Sequence, residues 1–342
     1  MHMSNVYITG VAGFLGSHIA NHHLAQGDNV WGVDNFSSST GNSKHLKTLI
    51  SDKRFSFACF DISDVRAPQY MRYGHTSTSV YGHTSTKIKI DKIYNFACPA
   101  SPPIYQRIPV ETMMTCVVGT KNVLDFASEH NAVLVHASTS EVYGDPDISP
   151  QSETYKGSVN SYGPRSCYDE GKRAAEALCF DYLHKYNVDA RVVRIFNTYG
   201  PNMDPHDGRV VSNFICQALR GEPLTVYGDG SQTRSFCYVD DLIRGITSLA
   251  EHHENPRTPI NVGNPDEFTI QELAWLVINK TRSPNKLDPA DLYLVNKPLP
   301  TDDPTQRKPD TTLAKTILDW HPEVSLDKGL DKTIEYFRNF ML

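Results

Sequence analysis

The first sixteen residues place the strongest constraint on the fold. VYITG (6–10) is a β-branched and aromatic run that turns through Gly10-Val11-Ala12-Gly13-Phe14-Leu15-Gly16 into the helical pattern SHIANHHLAQG. A strand, three glycines and a helix start let backbone N–H groups approach a pyrophosphate at the positive end of a helix. A G-x-x-G-x-x-G string alone says little. Its position between a strand and a helix makes it a dinucleotide turn. Gly10, Gly13, Phe14, Leu15 and Gly16 are thus the first candidate cofactor-binding residues.

NVWGVD (29–34), FSFACFD (55–61), KIYNFA (92–97) and AVLVHA (132–137) continue the series, with helical patterns between most of them. That alternation predicts an α/β fold with a doubly wound parallel sheet, covered on both faces. Asp34, after the second run, can accept both ribose hydroxyls of an adenosine and would repel a 2′-phosphate, which favours NAD over NADP. Asp61 ends the third run and is a candidate for the adenine amino group. Asn35 and Ile62, the next residues along, join the cofactor set.

The chain of 342 residues suffices for one large α/β domain or two ordinary ones, and 39% hydrophobic with 21% charged residues fits a globular fold. A net charge of −6 gives no footprint for nucleic acid or an anionic membrane, so an anionic substrate must be held by local arginines and helix N-termini. Seven scattered cysteines without C-x-x-C spacing fit reduced thiols in the cytosol. No signal peptide and no membrane span are expected, and a cytoplasmic location follows. His18 and His22 share a helix face, but no ligand pattern accompanies them, so no metal site is expected. YGHTST occurs twice, at 73–78 and 81–86; two copies are too few for a solenoid, and a surface hairpin or mobile loop without chemistry is expected.

Chemistry enters with STSEVYGD (138–145), where a strand ends in Thr139, Ser140 and Glu141. Downstream, SCYDEGKRAAEALCFDYLHKY (166–186) is an amphipathic helix that places Tyr168 and Lys172 on one face. A phenol titrates near pH 10 and is a poor base at neutrality. A nearby ammonium and an oxidised nicotinamide would both favour its phenolate. Y-x-x-x-K is weak by itself, but not after a dinucleotide turn with STS at a strand end between them.

At these residues the chain resembles the extended short-chain dehydrogenase/reductase superfamily over nearly its full length, and within it the UDP-glucuronate decarboxylase (UDP-xylose synthase) family. ACPASPP (97–103), STSEVYGDP (138–146), GPRSCYDEGKR (163–173), RIFNTYGP (194–201), DGRVVSNF (207–214), LTVYGDGSQTRSF (224–236) and DDPTQRKPD (302–310) carry the likeness. It implies a Rossmann domain over 1–196, with a polar insertion at about 65–90. A smaller C-terminal α/β domain over 197–342 would bind the UDP-sugar, with some chain crossing back. It also implies tightly held NAD and a homodimer formed through helices around 105–128 and 168–186. The substrate set it implies is Pro102, Tyr105, Asn197, Arg209, Val210, Asn213, Tyr227, Arg234 and Arg307. Arg209, Arg234 and Arg307 fall in separate polar stretches read as loops, and their guanidinium forks match diphosphate and carboxylate oxygens. Departures from the family pattern are Val11 for glycine, Asn95 for histidine and Asn202 for arginine.

The resemblance implies that Tyr168 takes the 4-hydroxyl proton of UDP-glucuronate as hydride leaves carbon 4. The 4-keto acid loses carbon dioxide, and the returning hydride gives UDP-xylose. Thr139 and Ser140 would stabilise the enolate, Lys172 would hold the nicotinamide ribose, and Glu141 and Arg307 would lie beside the sugar acid. A 4,6-dehydratase would carry an acidic pair where Ser140-Glu141 stands, and a 4-epimerase an apolar residue at Glu141. An oxidative decarboxylase releasing the 4-keto pentose and NADH has the same Thr-Ser-Glu set, but is usually fused to a formyltransferase domain that this chain has no room for. A non-catalytic NAD sensor on the same fold would often lose the tyrosine or lysine, and both are intact.

Overall fold

Every apolar run of the first half becomes a strand: β1 (Asn5–Thr9), β2 (Asn29–Asp34), β3 (Phe55–Cys59), β4 (Lys92–Asn95) and β5 (Val133–Thr139). ARVVRI supplies β6 (Ala190–Ile195), and Ile260–Val262 pairs with it at the sheet edge. Across the sheet the order is β3, β2, β1, β4, β5, β6 and Ile260–Val262, with every neighbouring pair parallel. Continuous apolar runs suit strands covered on both faces, and six of the seven β5 residues are buried. The computed structural model describes residues 3–37, 44–73, 88–281, 294–299, 304 and 306–341. Of the YGHTST repeat only Tyr73 is among them, closing the helix Ala67–Tyr73; the expected hairpin or loop lies outside the described residues.

The chain beyond 197 does not stay apart from this sheet. Helix Val239–Glu251 packs on β5, β6 and the first helix, α1 (Phe14–Gln26). The remainder forms short-stranded layers beside the sheet's carboxyl ends. One joins Glu267–Thr269, Thr233–Ser235 and Gln306–Arg307, and another pairs Leu224–Tyr227 with Leu294–Lys297. Arg234 and Arg307, read from sequence as loop residues, therefore sit opposite each other on paired strands. Strands of two or three residues are too short to show a two-residue period, which is why they read as loops. LDKGLDKTIEYFRNF forms the closing helix, Leu326–Met341.

A buried arginine ties the two parts of the chain together. Arg191 of β6 grips Asp189 through Nε and Nη2, at 2.9 and 2.7 Å. Its Nη1 donates to the carbonyls of Leu249 and His252, both at 2.7 Å, at the end of helix Val239–Glu251. Helix-terminal carbonyls lack intrahelical partners, and a cation there also complements the helix dipole. Arg191→Ala is expected to destabilise the protein by at least about 2 kcal/mol, since several buried acceptors lose their donor at once. Denaturant unfolding would show a lower midpoint at unchanged slope; an unchanged midpoint would refute this role.

Candidate active site

A cavity of about 710 Å³ opens at the carboxyl ends of the strands, where α/β sheets bind ligands. Its floor is the glycine turn. Gly10 has φ +72°, and a Cβ there would lie 2.8 Å from the Ala97 nitrogen. Helix α1 starts at Phe14, earlier than the SHIANHHLAQG pattern suggests, so Gly16 falls in its first turn. A Cβ on Gly16 would collide with the Gly10 carbonyl. Side chains at either place would fill the cradle or push it apart. Val11 does neither: it is buried and outside the lining, packed where a Cβ on Gly32 would be 2.6 Å from its Cγ1.

Asp34 closes β2 with its carboxylate on two backbone donors, Ala12 N–H at 3.0 Å and Phe36 N–H at 2.8 Å, one to each oxygen. Burial raises its pKa and these bonds oppose the rise. Each oxygen keeps a lone pair for a ribose hydroxyl. Asn35 Nδ2 donates to Asp61 at 2.8 Å, and the other Asp61 oxygen accepts from Ser63 N–H at 2.7 Å. Ile62 lines the same wall. A cradle built of backbone, followed by the Asp34 carboxylate where a 2′-phosphate would have to sit, fits NAD and repels a 2′-phosphate.

At the other end, helix Ser166–Lys185 brings Tyr168 and Lys172 to the end of β5. Lys172 Nζ donates to the Ala137 carbonyl at 2.8 Å and lies 5.9 Å from the centre of the Tyr168 ring. Tyr105 stacks on Tyr168 with centroids 5.0 Å apart and planes within 5°. Burial, followed by the Cys98 thiol, pushes the Tyr168 phenol well up, while a hydrogen bond with Thr139 and the charge of Arg209 oppose the rise. The lowering expected from Lys172 does not decide the balance in the protein alone, because burial disfavours a phenolate more strongly.

Thr139 ends β5 and accepts the Glu141 N–H at 3.2 Å, starting a tight turn over Ser140–Tyr143. That turn aims Glu141 between two guanidinium groups, Arg165 at 2.5 Å and Arg307 at 3.4 Å. Arg307 is fully buried and also donates to the Ser140 carbonyl. Burial raises the Glu141 pKa, but Arg307 and then Arg165 outweigh it and hold the carboxyl at about 2. Glu141 is therefore a fixed anion at any ordinary pH. Arg165 was not among the sequence candidates: GPRS precedes helix Ser166–Lys185, and nothing in its spacing points to residue 141.

Pro102, Tyr105, Asn197, Arg209, Val210, Tyr227 and Arg234 all line this cavity. Arg209 Nη2 donates to the Ala100 carbonyl at 3.2 Å and Nε lies 3.4 Å from Asp207. Asn213 is placed differently, outside the lining, with Nδ2 donating to the Gly208 carbonyl at 3.0 Å. It sits a turn into helix Val210–Arg220 and shapes the loop that presents Arg209. Asn95 is buried among Thr9, Thr120 and His136. Asn202 adopts φ +69°, a left-handed conformation that asparagine tolerates well. Among the described residues no metal-ligating cluster of three side chains occurs, and no helix is long and apolar enough to cross a membrane.

A parallel sheet with a glycine cradle and a buried tyrosine–lysine pair defines a nicotinamide-dependent enzyme of the extended short-chain dehydrogenase/reductase type. The chain belongs to the NAD dependent epimerase/dehydratase family, whose profile matches residues 6–263. It is 46% identical over 97% of its length to UDP-glucuronic acid decarboxylase 1 of Danio rerio, covering 72% of that protein. It is also 46% identical over 97% of its length to UDP-glucuronic acid decarboxylase 6 of Arabidopsis thaliana, covering 88% of it. The crystal structure of a Bacillus cereus UDP-glucuronic acid 4-epimerase, in complex with UDP-glucuronic acid and NAD, matches with a TM-score of 0.82 and 25% identity, over 98% of this chain and 99% of that one.

The Glu141 clamp has a sign-defined pH signature. Its folded pKa lies below the ordinary carboxyl value, so its stabilising effect is present above about pH 4.5 and lost as pH falls toward about 2. Glu141→Gln should be less stable than wild type at neutral pH, and the two unfolding free energies should converge across that window. Parallel curves from pH 6 to 2 would show that the clamp does not ionise as described.

Proposed function

We propose that this chain decarboxylates UDP-glucuronate to UDP-xylose. The observation that carries the reading is the meeting of Tyr168 and Thr139 with the Glu141–Arg165–Arg307 cluster in one cavity. Relatives named UDP-glucuronic acid decarboxylase, matched over nearly the whole chain, support it. The glycine turn would hold the pyrophosphate of NAD, Asp34 the adenosine ribose, Asn35 and Asp61 the adenine, and Lys172 the nicotinamide ribose. Bound NAD would supply a hydride acceptor and, once reduced, a hydride donor at carbon 4 of the sugar.

Tyr168, poised against Thr139, takes the proton of the 4-hydroxyl as a general base. Oxidation at carbon 4 makes the sugar a β-keto acid, whose loss of carbon dioxide leaves an enolate spread onto the new ketone. Tyr168 and a hydroxyl of Thr139 or Ser140 donate to that oxygen where its charge develops. Carbon 5 is then protonated. Glu141, ionised and clamped, does not serve as the acid. It orients Arg165 and Arg307, whose positive charges would attract the substrate carboxylate. The serine at 140, where a dehydratase would carry an acid, favours decarboxylation over dehydration. The charged residue at 141 does the same against 4-epimerisation.

The same reading divides the labour near residue 196, with cofactor contacts before it and most nucleotide-sugar contacts after it. Asn213 then supports the UDP end through its loop. It also makes the enzyme a cytosolic homodimer, packed through exposed apolar residues Val110, Met114 and Phe180 of helices Pro109–Met114 and Ser166–Lys185. Phe180→Glu should shift sedimentation from dimer toward monomer; an unchanged dimer would place the interface elsewhere.

Incubation with UDP-glucuronate should release carbon dioxide and UDP-xylose with no net NADH. Accumulating NADH would favour the oxidative reaction, and the 4-epimer without carbon dioxide would overturn decarboxylation. Tyr168→Phe should lower turnover by about 10² or more with an unchanged circular dichroism spectrum. Near-wild-type turnover would remove Tyr168 from its assigned role.

A further inference from the structure

Two thiols meet beside the catalytic tyrosine, and the proposed reaction uses neither. Cys98 and Cys116 have their sulfurs 3.3 Å apart. Cys98 is half-buried and lines the cavity in the segment ACPASPP, whereas Cys116 is buried behind it. Cys116 lies in Thr115–Gly119, a π-helical turn between helices Pro109–Met114 and Thr120–His130, a kind of local widening that often marks functional sites. Cys167 lies within electrostatic reach of both, with its sulfur facing the Tyr105 carbonyl at 3.7 Å, and Cys237 faces the Tyr238 carbonyl at 3.6 Å.

We propose that Cys98 and Cys116 form an oxidisable dithiol inside the catalytic cavity, and that its closure to a disulfide lowers turnover. The oxidant is a peroxide reaching Cys98 from the cavity. The Cys98 thiolate attacks one peroxide oxygen, the O–O bond breaks, and sulfenic acid and hydroxide result. The Cys116 thiol then attacks that sulfur, expelling water and forming the S–S bond; hydrogen peroxide has taken two electrons from two thiols. Burial raises the Cys98 pKa, but the hydrogen bond with Cys116 and the Lys172 charge outweigh it and lower it, the condition for a reactive thiol.

Closure must bring the sulfurs from 3.3 Å to the ~2.05 Å of a disulfide. Cys116 has little room to move, because a Cβ on Gly171, next to Lys172, would lie 3.0 Å from its Cβ. The adjustment therefore falls on Cys98 and the 97–105 wall. That wall carries the Ala100 carbonyl bonded to Arg209 and the Tyr105 ring stacked on Tyr168. Misplacement of a positioning wall by ~1 Å can cost up to about 10² in rate.

The chemical half of the proposal stands on its own, while the functional half rests on the decarboxylase reading through its assay. The full chain with its nicotinamide cofactor would be treated with hydrogen peroxide, quenched, and divided for mass spectrometry and turnover of UDP-glucuronate. Expected are a two-hydrogen mass loss mapped to a Cys98–Cys116 cross-linked peptide and a turnover at least about tenfold lower, both reversed by dithiothreitol. Cys116→Ser should show neither the cross-link nor the dithiothreitol-reversible change, measured against its own untreated activity. Oxidation mapped only to other cysteines, or to sulfinic acid without a cross-link, would overturn the dithiol. A mapped cross-link with unchanged turnover would overturn its effect on the reaction. Failure of the untreated enzyme to release carbon dioxide would instead count against the decarboxylase reading, with the cross-linked peptide still deciding the dithiol.

Discussion

The site depends on one buried ionic contact, Glu141 between Arg165 and Arg307. Three parts of the chain meet there: the end of β5, the residue before helix Ser166–Lys185, and a two-residue strand near the C-terminus. A buried carboxylate is costly unless paired, and a buried guanidinium likewise. Each therefore holds the others in place. If the turn after Thr139 were to move, Glu141 would leave Arg307, and the cavity would lose the link between the end of β5 and the Gln306–Arg307 strand. Buried ion pairs contribute little net stability as a rule, but they do fix geometry. Here the geometry fixed is that of two cations beside a hydroxyl pair.

Tyr168 shows the complementary tension. Its ring is buried under Tyr105, and burial makes its phenol a weaker acid than in water. The Thr139 hydrogen bond and the Arg209 charge oppose that effect from the protein side. A neutral, hydrogen-bonded phenol is ready to donate to a developing oxyanion but needs added positive charge to act as a base. An oxidised nicotinamide carries such a charge and a reduced one does not, so the proton affinity of the tyrosine would follow the redox state of the cofactor. Proton and hydride transfer are then coupled through one electrostatic environment.

Much of this was legible in the sequence because it is local. The glycine turn, the β-branched runs and the Tyr168/Lys172 spacing each express a period or a short motif, and each appears in its expected place. Arg165 was not legible, since its role depends on a turn some distance upstream that no helical or strand period links to it. Arg234 and Arg307 read as loop residues because their strands are only a few residues long. Ile260–Val262 joins the main sheet although it lies far beyond β6, a pairing that only the tertiary fold creates. In the Cys98–Cys116 contact, Cys116 lies in a π-helical turn, which leaves no compositional trace, and the two residues are 18 apart in sequence. Asn213 illustrates the reverse case: its motif is in place, but its amide is occupied by Gly208 and its contribution passes through the loop.

The ionisation of Glu141 bears on which reaction this architecture can perform. Removing water across carbons 5 and 6 needs an acid that gives its proton to a leaving hydroxyl near neutral pH. A carboxyl held at about 2 by two guanidinium groups cannot be that acid, and Ser140 offers no second carboxyl to replace it. Decarboxylation makes no such demand, because carbon dioxide leaves without a proton. What it requires is an orientation of the carboxylate that lets the breaking bond overlap the new ketone, with donors at the oxygen that gains charge. On the proposed reading the fixed guanidinium groups would supply the first requirement, and the phenol with its neighbouring hydroxyls the second. On that reading, the clamp that keeps Glu141 ionised is the same contact that would prepare Arg165 and Arg307 to orient an acidic sugar.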